Sequence, residues 1–172
     1  WQMFINNKQI PEENIKYEFD TTTIRNILNM LKEEFEFAKM SGEQPTQKLL
    51  LFDDLAFSGV FSSNATKKEN LVNELFCNSR HYLVSVWVLG QHYAQFSPVL
   101  RNNATALIIW DATNKQWGNV ADDYDNTENR REFLKAMKNA TKKPYNFVFI
   151  NKLKRPRFYH MFETPILEEK EG

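Results

Sequence analysis

Lys48-Leu49-Leu50-Leu51-Phe52-Asp53-Asp54 is the stretch on which the reading of this chain turns. An unbroken run of apolar side chains that ends abruptly in two carboxylates suits a short central strand buried on both faces. Ligands of open α/β sheets sit beyond the carboxyl ends of the strands, so such a strand would carry Asp53 and Asp54 to the edge of a cleft.

Outward from this strand, helical and extended segments alternate. Upstream, Thr21-Thr22-Thr23 followed by Ile24, Ile27, Leu28, Leu31, Phe35 and Met40 has helical spacing with hydroxyl caps at its start, predicting a helix over 22–40. Ser41-Gly42-Glu43-Gln44-Pro45 breaks it. Downstream, 57–68 reads as a loop and 69–80 as a helix, and Leu83-Val84-Ser85-Val86-Trp87-Val88-Leu89 reads as a second buried strand closed by Gly90-Gln91. Ser97-Pro98 opens a short helix with Pro in its first turn, where a missing N–H costs least, and 105–110 is a third strand. Residues 122–126 read as an acidic loop, 127–140 as an amphipathic helix, and 146–151 as a fourth strand that forms a hairpin with 157–162. This alternation predicts an α/β domain with a mainly parallel sheet and a C-terminal β-hairpin.

Length and composition agree with one globular domain: 172 residues, 42% hydrophobic and 26% charged, enough for one core without staples. Cys77 is the only cysteine, which excludes a disulfide scaffold, and the longest apolar runs fall far short of the roughly 18 residues of a membrane span. Residues 1–10 have neither the basic start nor the apolar stretch of a signal peptide, so a reducing compartment is expected and the sequons at Asn64, Asn103 and Asn139 read as chance.

The net charge of zero conceals an asymmetry. Residues 1–60 carry six basic against ten acidic side chains, whereas 130–160 carry ten basic ones against Glu132 alone, a net +9. Clustered Lys and Arg attract a phosphate backbone through counterion release, which makes nucleic acid a candidate partner; a solvated helix face with a charged turn has the same composition.

At the end of the first strand, one carboxylate can hold hydrated Mg²⁺ while the next orients or deprotonates an attacking water, as in a Walker B site. A solvated turn or a helix N-cap would use the same two residues. Gln91 could hold a γ-phosphate or the water, or be a satisfied turn residue. Arg80 and Arg101, before the second and third strands, could reach a neighbouring subunit's phosphates or be ordinary surface arginines. His81, His92 and His160 have no ligand spacing with Cys77, and Phe57-Ser58-Gly59 lacks the frame of a nucleophile elbow.

Taken in order, Lys48 to Asp54, then Ser79-Arg80-His81-Tyr82 through Gly90-Gln91, then Ser97-Pro98-Val99-Leu100-Arg101-Asn102-Asn103-Ala104-Thr105 closely resemble the genome-packaging ATPases of large DNA viruses. These are of the poxvirus and giant-virus type, in the FtsK–HerA branch of P-loop ATPases, and the resemblance covers about residues 45–163. It implies a RecA-like P-loop NTPase core, with a Walker B strand at 48–54, a sensor strand at 83–91 and a hairpin at 146–162, and beyond it 164–172 reads as an acidic tail. It implies a homo-oligomeric ring that hydrolyses ATP with Mg²⁺ to drive double-stranded DNA into a capsid, working with capsid or vertex proteins at the viral assembly site in the host cytoplasm or in the virion.

Carried over by position, Asp53 would coordinate Mg²⁺ and bind the nucleotide, Asp54 would activate water, Gln91 would be the sensor and Arg80 the arginine finger, with Arg101 the second choice. Lys152, Lys154, Arg155 and Arg157 on the hairpin turn are the expected DNA contacts, touching phosphates without reading bases. One part of the pattern is absent: none of the five glycines precedes a Lys-Ser/Thr pair, so there is no Gly-x-x-x-x-Gly-Lys-Ser/Thr segment to cradle phosphates. The resemblance therefore implies that the N-terminal P-loop unit is missing from this chain, either truncated away or carried on another polypeptide. The alternative is a non-catalytic nucleic-acid-binding or assembly module that keeps the fold without the nucleotide site. A Mg²⁺-dependent nuclease using Asp53 and Asp54 directly lacks a further carboxylate cluster.

Overall fold

The computed structural model describes residue 7 and residues 10–17, 21–54, 71–125 and 129–167. They fall into two compact units, one ending at Leu89 and the other running from Gly90 onward.

In the first unit, α1 (Thr21–Met40) places Ile24, Leu28 and Leu31 on one stripe, each no more than 6% exposed. Its end is a Schellman cap: Glu43 N–H donates to the Ala38 carbonyl and Gly42 N–H to that of Lys39. Gly42 sits at φ 73°, which glycine reaches without a Cβ clash. β1 (Lys48–Phe52) pairs in parallel with β2 (Val84–Val88), Lys48 opposite Val84 and Phe52 opposite Val88. The chain passes from one strand to the other through α2 (Leu71–Asn78) and a 3-10 turn at Ser79–Tyr82. Leu50, Phe52 and Val86 pack against Ile24, Leu28 and Leu75.

The expectation of a strand buried on both faces is corrected by β1. Leu49 is 52% and Leu51 36% exposed, and Trp87 beside Leu51 on β2 is 59% exposed. An apolar run reports the preference of each side chain, not whether a second layer covers the sheet.

In the second unit, the Ser97 hydroxyl caps α3 (Pro98–Asn103) by accepting from Leu100 N–H at 3.3 Å. β3 (Ala106–Ile109) follows, then α4 (Asn114–Tyr124), opened by a capping box between Thr113 and Gln116. The expected acidic loop is corrected here, because Asp122, Asp123 and Tyr124 form the last turn of α4. The Asn129 side chain caps α5 (Arg130–Ala140), and β4 (Val148–Asn151), β5 (Phe158–His160) and β6 (Thr164–Pro165) complete the unit.

These strands form an antiparallel sheet in the order β3-β4-β5-β6. Its inner face presents Val148, Ile150 and Phe158, at most 1% exposed, to Trp117, Phe133 and Met137 of α4 and α5. Ile166 and Leu167 pack against the same core. The expected hairpin is present as β4 and β5. The expectation of a mainly parallel sheet is corrected: among the described residues only β1 and β2 are parallel, and the molecule is mixed α/β with separate parallel and antiparallel sheets. Strand direction is set by which edges meet, which a single strand's composition does not encode.

Candidate functional site

Asp53 and Asp54 leave the carboxyl end of β1, both exposed. Strand pairing persists to this point, since Leu89 N–H donates to the Phe52 carbonyl at 2.8 Å. Asp54 has φ 50°, in the left-handed region that Asp and Asn tolerate better than other non-glycine residues. The backbone thus turns sharply where the strand ends, and residues 55–70, including the expected loop at 57–68, lie outside the described residues.

Among the described residues there is no group of three or more His, Cys, Asp or Glu side chains able to hold a metal. Two carboxylates at a strand end nevertheless match Mg²⁺, which keeps several waters and takes one or two protein carboxylates together with substrate phosphates. A cleft of about 100 Å³ lies elsewhere, lined by Leu31, Phe35, Lys48 and Tyr82 near the start of β1. It is much smaller than the roughly 300 Å³ or more of a typical small-molecule site. Lys48 is ion-paired with Glu34 there.

Arg80 is exposed in the 3-10 turn that leads into β2. Because β1 and β2 are parallel and Lys48 N–H donates to the Leu83 carbonyl at 3.0 Å, Arg80 lies at the amino end of the strand pair and Asp53 at its carboxyl end. Five residues of strand, roughly 16 Å, separate the two ends.

Gln91, in the second unit, is exposed, and its carbonyl accepts from Gln116 Nε2 at 3.4 Å. The same Nε2 lies 2.7 Å from His92 Nδ1, so α4 holds the segment that follows Gly90. A Cβ on Gly90 would stand 2.5 Å from both Gln95 Nε2 and Phe96 Cζ, so a larger residue there would have to displace the ends of those two side chains.

Arg101 is engaged within its own unit. Its guanidinium is ion-paired with Asp123 and lies 5.1 Å from the centre of the Tyr93 ring. Tyr93 Oη donates to the same carboxylate at 2.6 Å, and Tyr124 Oη donates to the Arg101 carbonyl at 2.8 Å. Burial first, then the hydrogen bond to Asp123, pushes the Tyr93 phenol far above its ordinary pKa, and burial likewise raises that of Tyr124.

Of the four expected DNA contacts, Lys154 and Arg155 are exposed, while Lys152 and Arg157 are half-buried. Lys152 Nζ donates to the carbonyls of Arg101 at 3.1 Å and Asn102 at 2.7 Å, capping the C-terminal turn of α3 with a cation. Burial, then the nearby Arg157, lowers the Lys152 pKa, and Asp123 opposes that shift.

The structure therefore joins Arg101 and Lys152, which the sequence reading kept apart, through a network of Tyr93, Asp123 and Tyr124, which it missed. The Thr113-Asn114-Lys115-Gln116 capping box was the available signal, since it starts the helix whose last turn presents Asp123 and Tyr124. No helix among the described residues is long and apolar enough to cross a membrane.

No protein-family model matches the chain, and no curated protein matches it. Solved structures do match, two of them as follows. One is B204, the DNA-packaging ATPase from Sulfolobus turreted icosahedral virus, at 15% identity and a TM-score of 0.52, over 80% of this chain and 60% of that one. The other is the genome packaging NTPase B204 from Sulfolobus turreted icosahedral virus 2 in complex with ATP-gammaS, at 14% identity and a TM-score of 0.51, over 87% of this chain and 74% of that one. At these identities the likeness is one of fold, and the chain spans less than two thirds of the first neighbour's length.

Proposed function

We propose that the chain is part of an ATP-driven motor that packages double-stranded viral DNA into a capsid. The likeness of its fold to two packaging NTPases is the observation that carries this reading. The carboxylates at the carboxyl end of a parallel strand support it, because that is where an α/β sheet meets its ligand.

In this reading Asp53 holds the Mg²⁺ of Mg-ATP and Asp54 orients the attacking water and draws off its proton. Bound Mg²⁺ supplies charge neutralisation on the phosphates. The γ-phosphate is sensed by Gln91. Arg80 is the finger and acts on the nucleotide of a neighbouring subunit in a ring, since it lies a strand length from its own Asp53. Arg101, the second choice, is occupied by Asp123. Lys154 and Arg155, with Arg157, carry the phosphate contacts of the hairpin, while Lys152 supports its turn. Capsid or vertex proteins are the expected further partners, at the assembly site in the host cytoplasm or in the virion.

The sequence has no phosphate cradle, so another segment or polypeptide must supply one. Calorimetry of Mg-ATP binding and DNA-stimulated hydrolysis assays test this, on these 172 residues and on a chain extended N-terminally through a phosphate-binding loop. Binding and turnover in the extended form are expected; failure of both in both forms removes the motor.

The missing cradle and the net +9 over 130–160 favour a second reading, a non-catalytic nucleic-acid-binding module that keeps the fold. It requires nucleotide-independent DNA binding that weakens steeply with salt. A flat salt dependence removes it.

A further inference from the structure

The antiparallel sheet has one fully packed face and one partly open face, and the latter is aromatic. Ile108, Phe149 and Tyr159 are register partners across three strands, on the side away from the buried Val148, Ile150 and Phe158. Trp110, 52% exposed, and Phe162, 59% exposed, extend the patch beyond the strand ends. The rings form a connected series in which the buried Phe147 supports the others from beneath: Trp110 to Phe147 at 5.9 Å, Phe147 to Phe162 at 4.9 Å, Phe162 to Phe149 at 5.2 Å and Phe149 to Tyr159 at 6.2 Å between centres. Phe149 and Tyr159 are half-buried, so the exposed part of the patch is Ile108, Trp110 and Phe162, and exposed apolar side chains grouped on one face mark an interaction surface.

Charge selects the occupant. At one end of β4 lie the exposed Lys142 and Lys143, followed by Tyr145 at 91% exposure; at the other lies the turn with the exposed Lys154 and Arg155. The exposed Asp111 and Glu163 adjoin Trp110 and Phe162 in sequence without reversing that balance. Cations at both ends of the strand disfavour a second copy of the chain, which would bring like charges together. A polyanion whose units carry flat aromatic faces satisfies both features, with phosphates on the cations and bases on the rings.

We propose that this face is a stacking platform for single-stranded nucleic acid. A duplex keeps its bases stacked on one another and offers the rings nothing, so the activity is distinct from gripping duplex DNA and needs no nucleotide site.

Fluorescence anisotropy on the full chain tests the proposal with three probes: an oligothymidylate of about 20 nucleotides, a blunt duplex of the same length, and polyglutamate as a polyanion without bases. The oligothymidylate is expected to bind about five-fold or more tightly than either of the others. Phe162→Ala and Trp110→Ala are each expected to weaken it about five-fold or more at unchanged salt slope. Lys154→Gln with Arg155→Gln is expected to flatten that slope by about 0.7 for each phosphate that is no longer neutralised.

Phe162→Leu keeps apolar volume without a π face, and must lose affinity while its melting temperature shows that the fold persists. Equal binding of polyglutamate or duplex, full affinity in Phe162→Leu, or self-association that excludes the oligonucleotide would each overturn the proposal. None of these outcomes bears on ATP binding, which tests the motor separately.

Discussion

Lys152 Nζ donates to the carbonyl oxygen of Asn102 at 2.7 Å, tying the basic hairpin turn to the last turn of α3 fifty residues earlier. A side chain used in this way is a helix cap before it is a phosphate ligand. Lys152→Met is expected to cost about 1 kcal/mol of stability. Its effect on duplex affinity should be smaller than that of Lys154→Gln. Thermal unfolding and DNA titration of the two variants check both parts. The lowered Lys152 pKa adds a pH signature: between that depressed value and about 10.5 the unfolded chain binds the proton more tightly, so Lys152 makes stability rise with pH there, and Lys152→Met should lack that rise.

Arg101 and Arg80 are separable by experiment. Arg101→Ala leaves Asp123 without its cation in a partly buried setting, and a loss of about 2 kcal/mol is expected from denaturant unfolding. Arg80→Ala changes an exposed side chain, so stability should hold within about 0.5 kcal/mol. ATP turnover by the assembled motor should fall by about 10³-fold or more. Full turnover in Arg80→Ala would end its assignment as the finger.

The left-handed backbone at Asp54 makes the choice of substitution matter. Asn accepts that conformation, so Asp54→Asn should keep the wild-type melting temperature and abolish hydrolysis. Asp54→Ala adds a backbone penalty of about 1 kcal/mol, visible as a lower melting temperature. Undiminished turnover in Asp54→Asn would refute the role in water activation.

Tyr93 predicts behaviour in alkali. Its folded-state pKa is raised, so its contribution to stability is complete below the ordinary phenol value of about 10 and is lost as pH rises above it. Stability should therefore fall above about pH 10, and Tyr93→Phe should flatten that fall while costing about 1 kcal/mol at neutral pH. Unfolding midpoints from pH 7 to 11 in both proteins give the comparison. Identical alkaline slopes would show that the phenol is not buried as described.

Much of the local structure was legible in the residues themselves. Ile24, Leu28 and Leu31 announced the face of α1, Gly42 its end, and Ser97-Pro98 the start of α3, because each of these depends on neighbours within one or two turns. The helix carrying Asp123 was hidden by its acidic end, although Thr113 and Gln116 marked its beginning. The carboxylates after β1 were legible for the same local reason, as an apolar run with an abrupt polar stop.

By itself the sequence determined the helices that became α1, α2, α3 and α5, the segments that became β1 to β5, and that two carboxylates close one of them. Only the tertiary structure decided that β3 and β4 run antiparallel, that Leu49 and Leu51 are exposed, and that Arg101 and Lys152 are held inside their unit while Arg80 is exposed. The physical reason is range. Caps and helical stripes are interactions over three or four residues, whereas the Arg101–Asp123 pair spans 22 residues and the Lys152–Arg101 bond 51, so both exist only once the chain has brought distant segments together.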